Sequence, residues 1–465
     1  MTPLPELTTK YQILSRRVES LPAELKAWID WAANGRTLEK NFSQIEVLAH
    51  FMNQLCKSNT DGFKVLDPAD NTDVFLINAH RLAKNMLKAH AIWNFFRDRL
   101  ELRFVPQFQQ PLLMADLVSH DCYTTVMDRV EALRIYPQKG FREYPLTGLC
   151  AEFSPGIRLR EQRPPALQNP SLPISVIELP WDHLANPWEL LVIAHEVGHD
   201  VDKALGNLTD AIQCAITTQL ETARAPAEHI TQWQEWTCEI LADLFGVLLT
   251  GPAFVRALIG LLTLPSSIVR HFDSTDPHPP HYLRVFINTM LVRQLGLPQS
   301  ADAIEASWMA LYGEPSDDFR SYLQEIEPVT WAILNAPLAN LQDFKGRQYS
   351  LTDLIIFKPN DHLLVQETAT KLASGLTPGK LSIRHVVSAS QLAFEQMVAA
   401  GDAANLEMLA RRTQQTIIDL SPPGQLLAGL ASRRTREHLY DLARACLERP
   451  LEDFGIPWPC TEGER

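Results

Sequence analysis

One short stretch of the chain combines two histidines and a glutamate at a spacing typical of metal chemistry: residues 191–200 read LVIAHEVGHD. His195 and His199 are four positions apart, so on a helix both imidazoles project from the same face. Two ring nitrogens at this spacing can reach one Zn²⁺ at about 2.0–2.1 Å, and Glu196 lies beside them as a general base for water. This is the H-E-x-x-H pattern of zinc hydrolases. The alternative is a solvated helix face that carries the same three residues without a metal.

A catalytic zinc ion needs a third protein ligand, and residues 235–243, which read EWTCEILAD, offer the best candidate. Glu239 and Asp243 are again one turn apart on a predicted helix. With Glu239 as a ligand, Asp243 is placed to accept a hydrogen bond from a liganding histidine and so to fix its tautomer. Glu235, one turn earlier in a more polar part of the segment, is the rival ligand. An ion-paired helix edge is the alternative that involves no metal.

Three motifs in this order resemble those of a known family. H-E-x-G-H at residues 195–199, E-x-x-A-D at 239–243 and H-P-P-x-x-x-R at 278–284 are similar to the motifs of the gluzincin metallopeptidases, above all the group of the CAAX prenyl protease and heat-shock protease X. The resemblance covers residues 186–284. It implies a zinc ion bound by the two histidines and Glu239, with Glu196 as the base.

The third motif supplies candidates for a further role. Charge develops on the substrate oxygen during hydrolysis, and its stabilisation needs a donor besides the metal ion. His278 is the candidate donor, with Tyr282 and Arg284 behind it. Two alternatives stay open: His278 as a turn residue held between prolines, and Arg284 as a structural residue that pairs with Asp243 or with a carbonyl.

The chain departs from the resembling group in two respects. Members of that group carry membrane helices. The most apolar region here, residues 240–269, is interrupted by Asp243 and Arg256 before about 18 apolar residues accumulate, which predicts two buried helices and no membrane span. The long interval between the first two motifs also holds an additional helical stretch at 210–223. The resemblance therefore implies the catalytic centre, but it implies nothing about the substrate.

The elements that must position these residues are mostly helical. The motif helix is predicted to begin at Asn186 as its N-cap and to stop at Gly206. The best strand candidate, residues 174–179, lies before this helix. Pro173 and Pro180 flank it, which favours an edge strand. An extended peptide could pair with such an edge. Further helices are predicted at 76–93, 112–133, 384–400, 402–420 and 426–448, with a loop at 273–281.

The predicted fold class is α+β and predominantly α-helical, with a gluzincin-like metallopeptidase core, a small edge sheet and flanking helical regions. The predicted regions are a helical N-terminal part (1–140), the zinc metallopeptidase core (141–298) and a helical C-terminal part (299–465).

Composition limits the classes of function. The 465 residues carry a net charge of −13, which argues against nucleic acid and anionic membranes as partners. No signal peptide is recognised, and the seven cysteines form no C-x-x-C pair, so a cytoplasmic location is expected. The sequence thus predicts a soluble zinc-dependent metallopeptidase with peptide or protein substrates. One alternative is a zinc hydrolase of a non-peptide amide or ester. The other is a binding or scaffold protein with a relic zinc site, which the intact Glu196 disfavours because a disused site has no need of the base.

Overall fold

The computed structural model describes residues 4–34, 37–135, 143–152, 154–158, 172–355, 357–379 and 381–421, together with residues 443, 444 and 447. Its α-helices are α1 (Pro5–Ala33), α2 (Phe42–Lys64), α3 (Thr72–Glu101), α4 (Pro106–Ala132), α5 (Val192–Ala204), α6 (Leu208–Thr222), α7 (Ala227–Thr250), α8 (Pro252–Leu262), α9 (Ser266–Val269), α10 (His281–Gln294), α11 (Pro298–Tyr312), α12 (Asp317–Asn335), α13 (Leu351–Leu354), α14 (Pro359–Ala373), α15 (Ile383–Ala399) and α16 (Leu406–Asp419). The strands are β1 (Leu146–Cys150), β2 (Gly156–Arg158), β3 (Val176–Pro180), β4 (Leu338–Gln342) and β5 (Gln348–Tyr349).

Apart from the start of the motif helix, the helical predictions are confirmed where the described residues cover them. The helices expected at 76–93, 112–133, 210–223, 384–400 and 402–420 correspond to α3, α4, α6, α15 and α16, and the apolar region 240–269 divides between α7 and α8. The helix predicted at 426–448 lies outside the described residues, apart from the three positions named above. Among the described helices, none has the length and apolar character that a membrane span requires.

A three-stranded sheet packs beside the motif helix, and its order corrects one prediction. The strands lie in the order β1-β3-β2, with β3 parallel to β1 and antiparallel to β2. The predicted edge strand, β3, is therefore the central one, and β2 forms an edge. Pro180 is the last residue of β3: it lies beyond the residues that pair with β2 and opposite Cys150, the last residue of β1. A proline is tolerated at this strand end more readily than within the ladder.

The motif helix begins later than predicted. Residues 187–191 form a 3₁₀ turn, and α5 starts at Val192. The side chain of Asn186 does not cap this segment; its Nδ2 donates to Glu189 Oε2 at 3.2 Å instead. The predicted stop is confirmed, because Gly206 has a φ of +84°, a left-handed conformation that glycine adopts without steric cost.

The N-terminal helices are fixed to the sheet by a buried ion pair. Arg103, just after α3, binds Asp116 of α4 with an Nη2–Oδ1 distance of 2.8 Å, and both side chains are almost inaccessible. Arg103 also donates to the carbonyl of Thr147 in β1 at 2.9 Å, and Asn41 donates to Asp116 at 3.0 Å. The buried charges are thus paired and hydrogen-bonded, as low-dielectric surroundings require.

One large hydrophobic cluster contains buried residues from all three predicted regions, from Leu112 to Ile417. Two smaller clusters lie mainly among α1, α2 and α3. Continuity of a core does not test independent folding, so the divisions at residues 140 and 298 stay predictions.

Candidate metal centre

Three side chains from α5 and α7 direct one ligand atom each towards a common point. His195 Nε2 lies 3.2 Å from His199 Nε2 and 3.3 Å from Glu239 Oε2, and the distance from His199 Nε2 to Glu239 Oε2 is 3.6 Å. A tetrahedral ion with bonds of about 2.0–2.1 Å separates its ligand atoms by about 3.3–3.4 Å. The three distances match that geometry, so these residues can hold a metal ion.

Glycine at position 198 lets the two ligand-bearing helices approach closely. A Cβ at Gly198 would lie 2.9 Å from the Cβ of Phe245 and 3.0 Å from the Cα of Ala242, closer than such atoms pack. Gly198 lies between the motif histidines on α5, and Ala242 lies between the two carboxylates of α7. The small residues of both motifs therefore set the helix spacing that brings Glu239 to the histidines.

The carboxylate of Asp243 orients His195, and both of its oxygens accept hydrogen bonds from helix α10. His195 Nδ1 lies 2.8 Å from Asp243 Oδ1, which leaves Nε2 directed at the common point. Arg284 donates twice to the carboxylate, from Nε and Nη2, each at 2.7 Å, and Asn288 donates at 2.9 Å. Asp243 thus contacts a histidine of the cluster and stands outside the three residues that could hold a metal ion. The contribution of Asn288 was missed; its signal is its position one turn after Arg284 on α10.

The second histidine has a different partner. His199 Nδ1 faces the Sγ of Cys238 at 3.7 Å, a sulfur contact where His195 has a carboxylate. Sequence reasoning treated the cysteines only as a group and missed this contact. The position of Cys238, immediately before Glu239, was the available signal.

The electrostatics of the cluster suit a bound cation. Glu239 Oε2 is buried without a well-formed hydrogen bond, although three imidazole nitrogens lie within 3.6 Å of it. Burial opposes ionisation, but His199 and its neighbours hold the pKa of Glu239 well below its usual range. Burial lowers the pKa of His195, but the hydrogen bond to Asp243 and the nearby carboxylate of Glu239 outweigh it and raise the pKa to about 9. A bound cation would satisfy the orphaned oxygen and replace the protons on both imidazoles.

Glu196 is buried beside this cluster and lines the cavity into which the cluster opens. Desolvation raises the pKa of its carboxyl group, partly offset by the nearby imidazoles. A carboxylate with a raised pKa is a suitable proton acceptor from water.

The three candidate residues of the third motif do not face one site. His278 lies in the loop before α10, and Tyr282 and Arg284 lie on opposite faces of α10. His278, in the preceding loop, lines the cavity; its Nε2 lies 3.0 Å from Glu239 Oε2 and its Nδ1 lies 3.0 Å from Asp276. Arg284 faces Asp243, as the structural alternative proposed. Tyr282 does not reach the cavity, because its hydroxyl donates to the carbonyl of Gly313 at 2.8 Å. Two positions apart on a helix, Tyr282 and Arg284 point in nearly opposite directions.

The cluster opens into a cavity of about 850 Å³. Glu235, the rival ligand, lines this cavity but stands outside the three-residue cluster. The lining also includes Ser154, Pro155, Gly156, Ile157, Val192, Lys203, Thr209, Cys238, Phe254, Leu258, Leu261, Leu262, Leu264, Asp276, His281 and Arg284.

Comparisons of this chain with protein-family models, curated proteins and solved structures give no match. The site's chemistry must therefore be argued from its own geometry.

Proposed function

We propose that this chain is a zinc-dependent metallopeptidase. The observation that carries the proposal is the tetrahedral spacing of the three ligand atoms of His195, His199 and Glu239 beside a buried glutamate in a large cavity. Two imidazoles and a carboxylate suit zinc, and three protein ligands leave a position open for chemistry. Zinc bound there would lower the pKa of a coordinated water towards about 7 and polarise a substrate carbonyl.

The protein groups around the ion have distinct tasks. Glu196 accepts the proton of the attacking water and delivers it to the leaving amine. His278 donates to the substrate oxygen on which charge develops. Asp243 keeps His195 in the tautomer that presents Nε2, and Arg284 holds Asp243.

A strand at the cavity offers a place for an extended substrate. Gly156 and Ile157 of β2 line the cavity, and among the described residues β2 pairs only with β3. An extended peptide can add to such an edge through main-chain hydrogen bonds. This assigns to β2 the substrate role that the sequence suggested for residues 174–179.

A cytoplasmic location belongs to the same proposal. The five described cysteines are unpaired, as expected in a reducing compartment.

The test compares wild type with Glu196→Gln on a peptide library and on casein. The variant should keep its zinc and lose peptide cleavage by at least about 10²-fold, because the ligands remain and only the base is removed. Glu221→Gln, an exposed carboxylate on α6, is the matched control and should cleave as wild type does. Cleavage of small esters or non-peptide amides with no cleavage of peptides would favour the alternative hydrolase, and undiminished cleavage by Glu196→Gln would refute the mechanism.

A further inference from the structure

One wall of the cavity is an apolar stripe formed by helix α8. Phe254, Leu258, Leu261 and Leu262 all line the cavity. Their spacing of four, seven and eight positions places them on one face of the helix. At 1.5 Å per residue the stripe is about 12 Å long, which is ample for a large side chain. Leu264, just beyond the helix, extends the wall and is 39% exposed.

This wall begins next to the metal ligands. The ring of Phe254 lies parallel to the His195 imidazole, with 6.5 Å between the ring centroids. On α5, Val192 is one turn before Glu196, and both line the cavity. The apolar surface therefore adjoins the base and the ligands, where the residue beside a scissile bond would lie.

The cations near the cavity are already committed to carboxylates. Lys203 pairs with Asp202 at 2.7 Å, and Arg284 pairs with Asp243. Two further lining residues, Glu235 and Asp276, are acidic. An acidic substrate side chain would find no unpaired cation among these residues, and it would be repelled by the two carboxylates.

We propose that the α8 wall is a side-chain pocket that selects peptides whose residue beside the scissile bond is large and apolar, such as leucine or phenylalanine. This proposal rests on the proposed peptidase function. Its physical basis is the removal of apolar surface from water on both the substrate and the wall. Burial of one such side chain gives a preference of about 10- to 100-fold over a polar residue.

The first experiment maps cleavage sites of zinc-loaded wild type in a random peptide library by mass spectrometry. It then measures kcat/KM on matched peptides that differ only beside the scissile bond: Leu, Phe, Ala, Lys or Asp. We expect Leu and Phe to exceed Lys and Asp by about 10- to 100-fold. In Leu261→Asp, whose partly exposed site tolerates a polar residue, this preference should collapse, and in Leu258→Ala it should weaken. The matched control is Leu363→Asp, at an exposed leucine of α14, which should keep the wild-type preference.

The second experiment measures binding without turnover. Fluorescein-labelled peptides of the same series are titrated into zinc-loaded Glu196→Gln, with and without Leu261→Asp, and anisotropy is recorded. Tighter binding of the Leu and Phe peptides that is lost in Leu261→Asp supports the pocket. If wild type then cleaves no peptide, the peptidase proposal alone fails. Cleavage without preference, or a preference that survives both wall substitutions, overturns the pocket and leaves the peptidase proposal standing. Absence of both cleavage and binding overturns both.

Discussion

Asp243 joins the candidate metal centre to helix α10. Its carboxylate is 1% exposed and accepts hydrogen bonds from Arg284 and Asn288 while holding His195 Nδ1. Because Arg284 lies beside it, the pKa of Asp243 is held far below its usual range despite its burial. Asp243 therefore stays ionised over the whole range in which a metal could bind.

We expect Asp243→Asn to weaken metal retention without removing a ligand. The amide cannot match the charge of Arg284, and it orients His195 less firmly, so metal affinity should fall about 10- to 100-fold. Competition with a chromophoric chelator measures this affinity. Glu235→Gln is the control and should retain metal, which also tests the rival ligand. An Asp243→Asn protein with wild-type affinity would reduce Asp243 to a structural carboxylate.

The local spacing of residues indicated the three side chains of the cluster better than it indicated their partners. His195, His199 and Glu239 follow from one-turn separations within helices, which the sequence displays directly. Cys238 and Asn288 act across helices, so their contacts depend on helix rotation and packing that no short motif encodes. Tyr282 points away from the cavity because α10 begins at His281, so the second half of the third motif is helical and its residues face different sides.

At the scale of elements, the close packing of α5 on α7 determines whether the centre forms. The position of Gly198 shows this most clearly, because any Cβ there would meet the backbone of α7.

Gly198→Ala should therefore separate the two helices and lower metal affinity by at least about tenfold, although alanine favours helix formation. Gly260→Ala on α8 is the matched control: a Cβ there meets nothing within 4 Å, so the helix should gain up to about 1 kcal/mol. Chelator competition and urea unfolding of both variants check the pair. Unchanged affinity in Gly198→Ala would show that helix spacing does not control the site.

The sequence largely predicted which segments are helices or strands, but it did not predict which elements lie next to one another in the fold. Apolar residues that recur from Leu76 to Trp93 located α3, since burial of one helix face imposes a 3.6-residue period. Helices were also expected where α4, α15 and α16 lie. The central position of β3 depends on its pairing with β1, whose residues lie far earlier in the chain. Strand order is a long-range property, and flanking prolines gave a misleading local signal.

At the scale of the whole molecule, a buried histidine outside the candidate metal centre is expected to link stability to pH. His385 on α15 is buried, and its ring packs edge-on against Phe357 at a centroid distance of 5.4 Å. Desolvation, aided by Arg384, lowers its pKa from 6.5 to about 4.

His385 should make the protein less stable in mild acid. Above pH 6.5 the imidazole is neutral in both states and contributes no pH dependence. As the pH falls from 6.5 towards 4, the unfolded chain binds the proton first, so the free energy of unfolding drops by up to about 3 kcal/mol.

The check is urea unfolding of the chelator-treated protein at pH 7 and pH 4.5, which removes the metal's own pH dependence. His385→Gln should lose less stability between the two pH values than wild type does. The exposed histidine of α3, in His80→Gln, is the control and should follow wild type. Equal losses in His385→Gln and wild type would contradict the burial argument.

The central claim is that His195, His199 and Glu239 together hold one zinc ion. The most direct measurement is elemental analysis of the full chain after zinc loading and dialysis, for wild type, His195→Ala and Glu196→Gln. We predict about one zinc per chain in wild type and Glu196→Gln, and loss of most zinc in His195→Ala, because two remaining ligands cannot complete the site. Full zinc in His195→Ala, or none in loaded wild type, would contradict the claim.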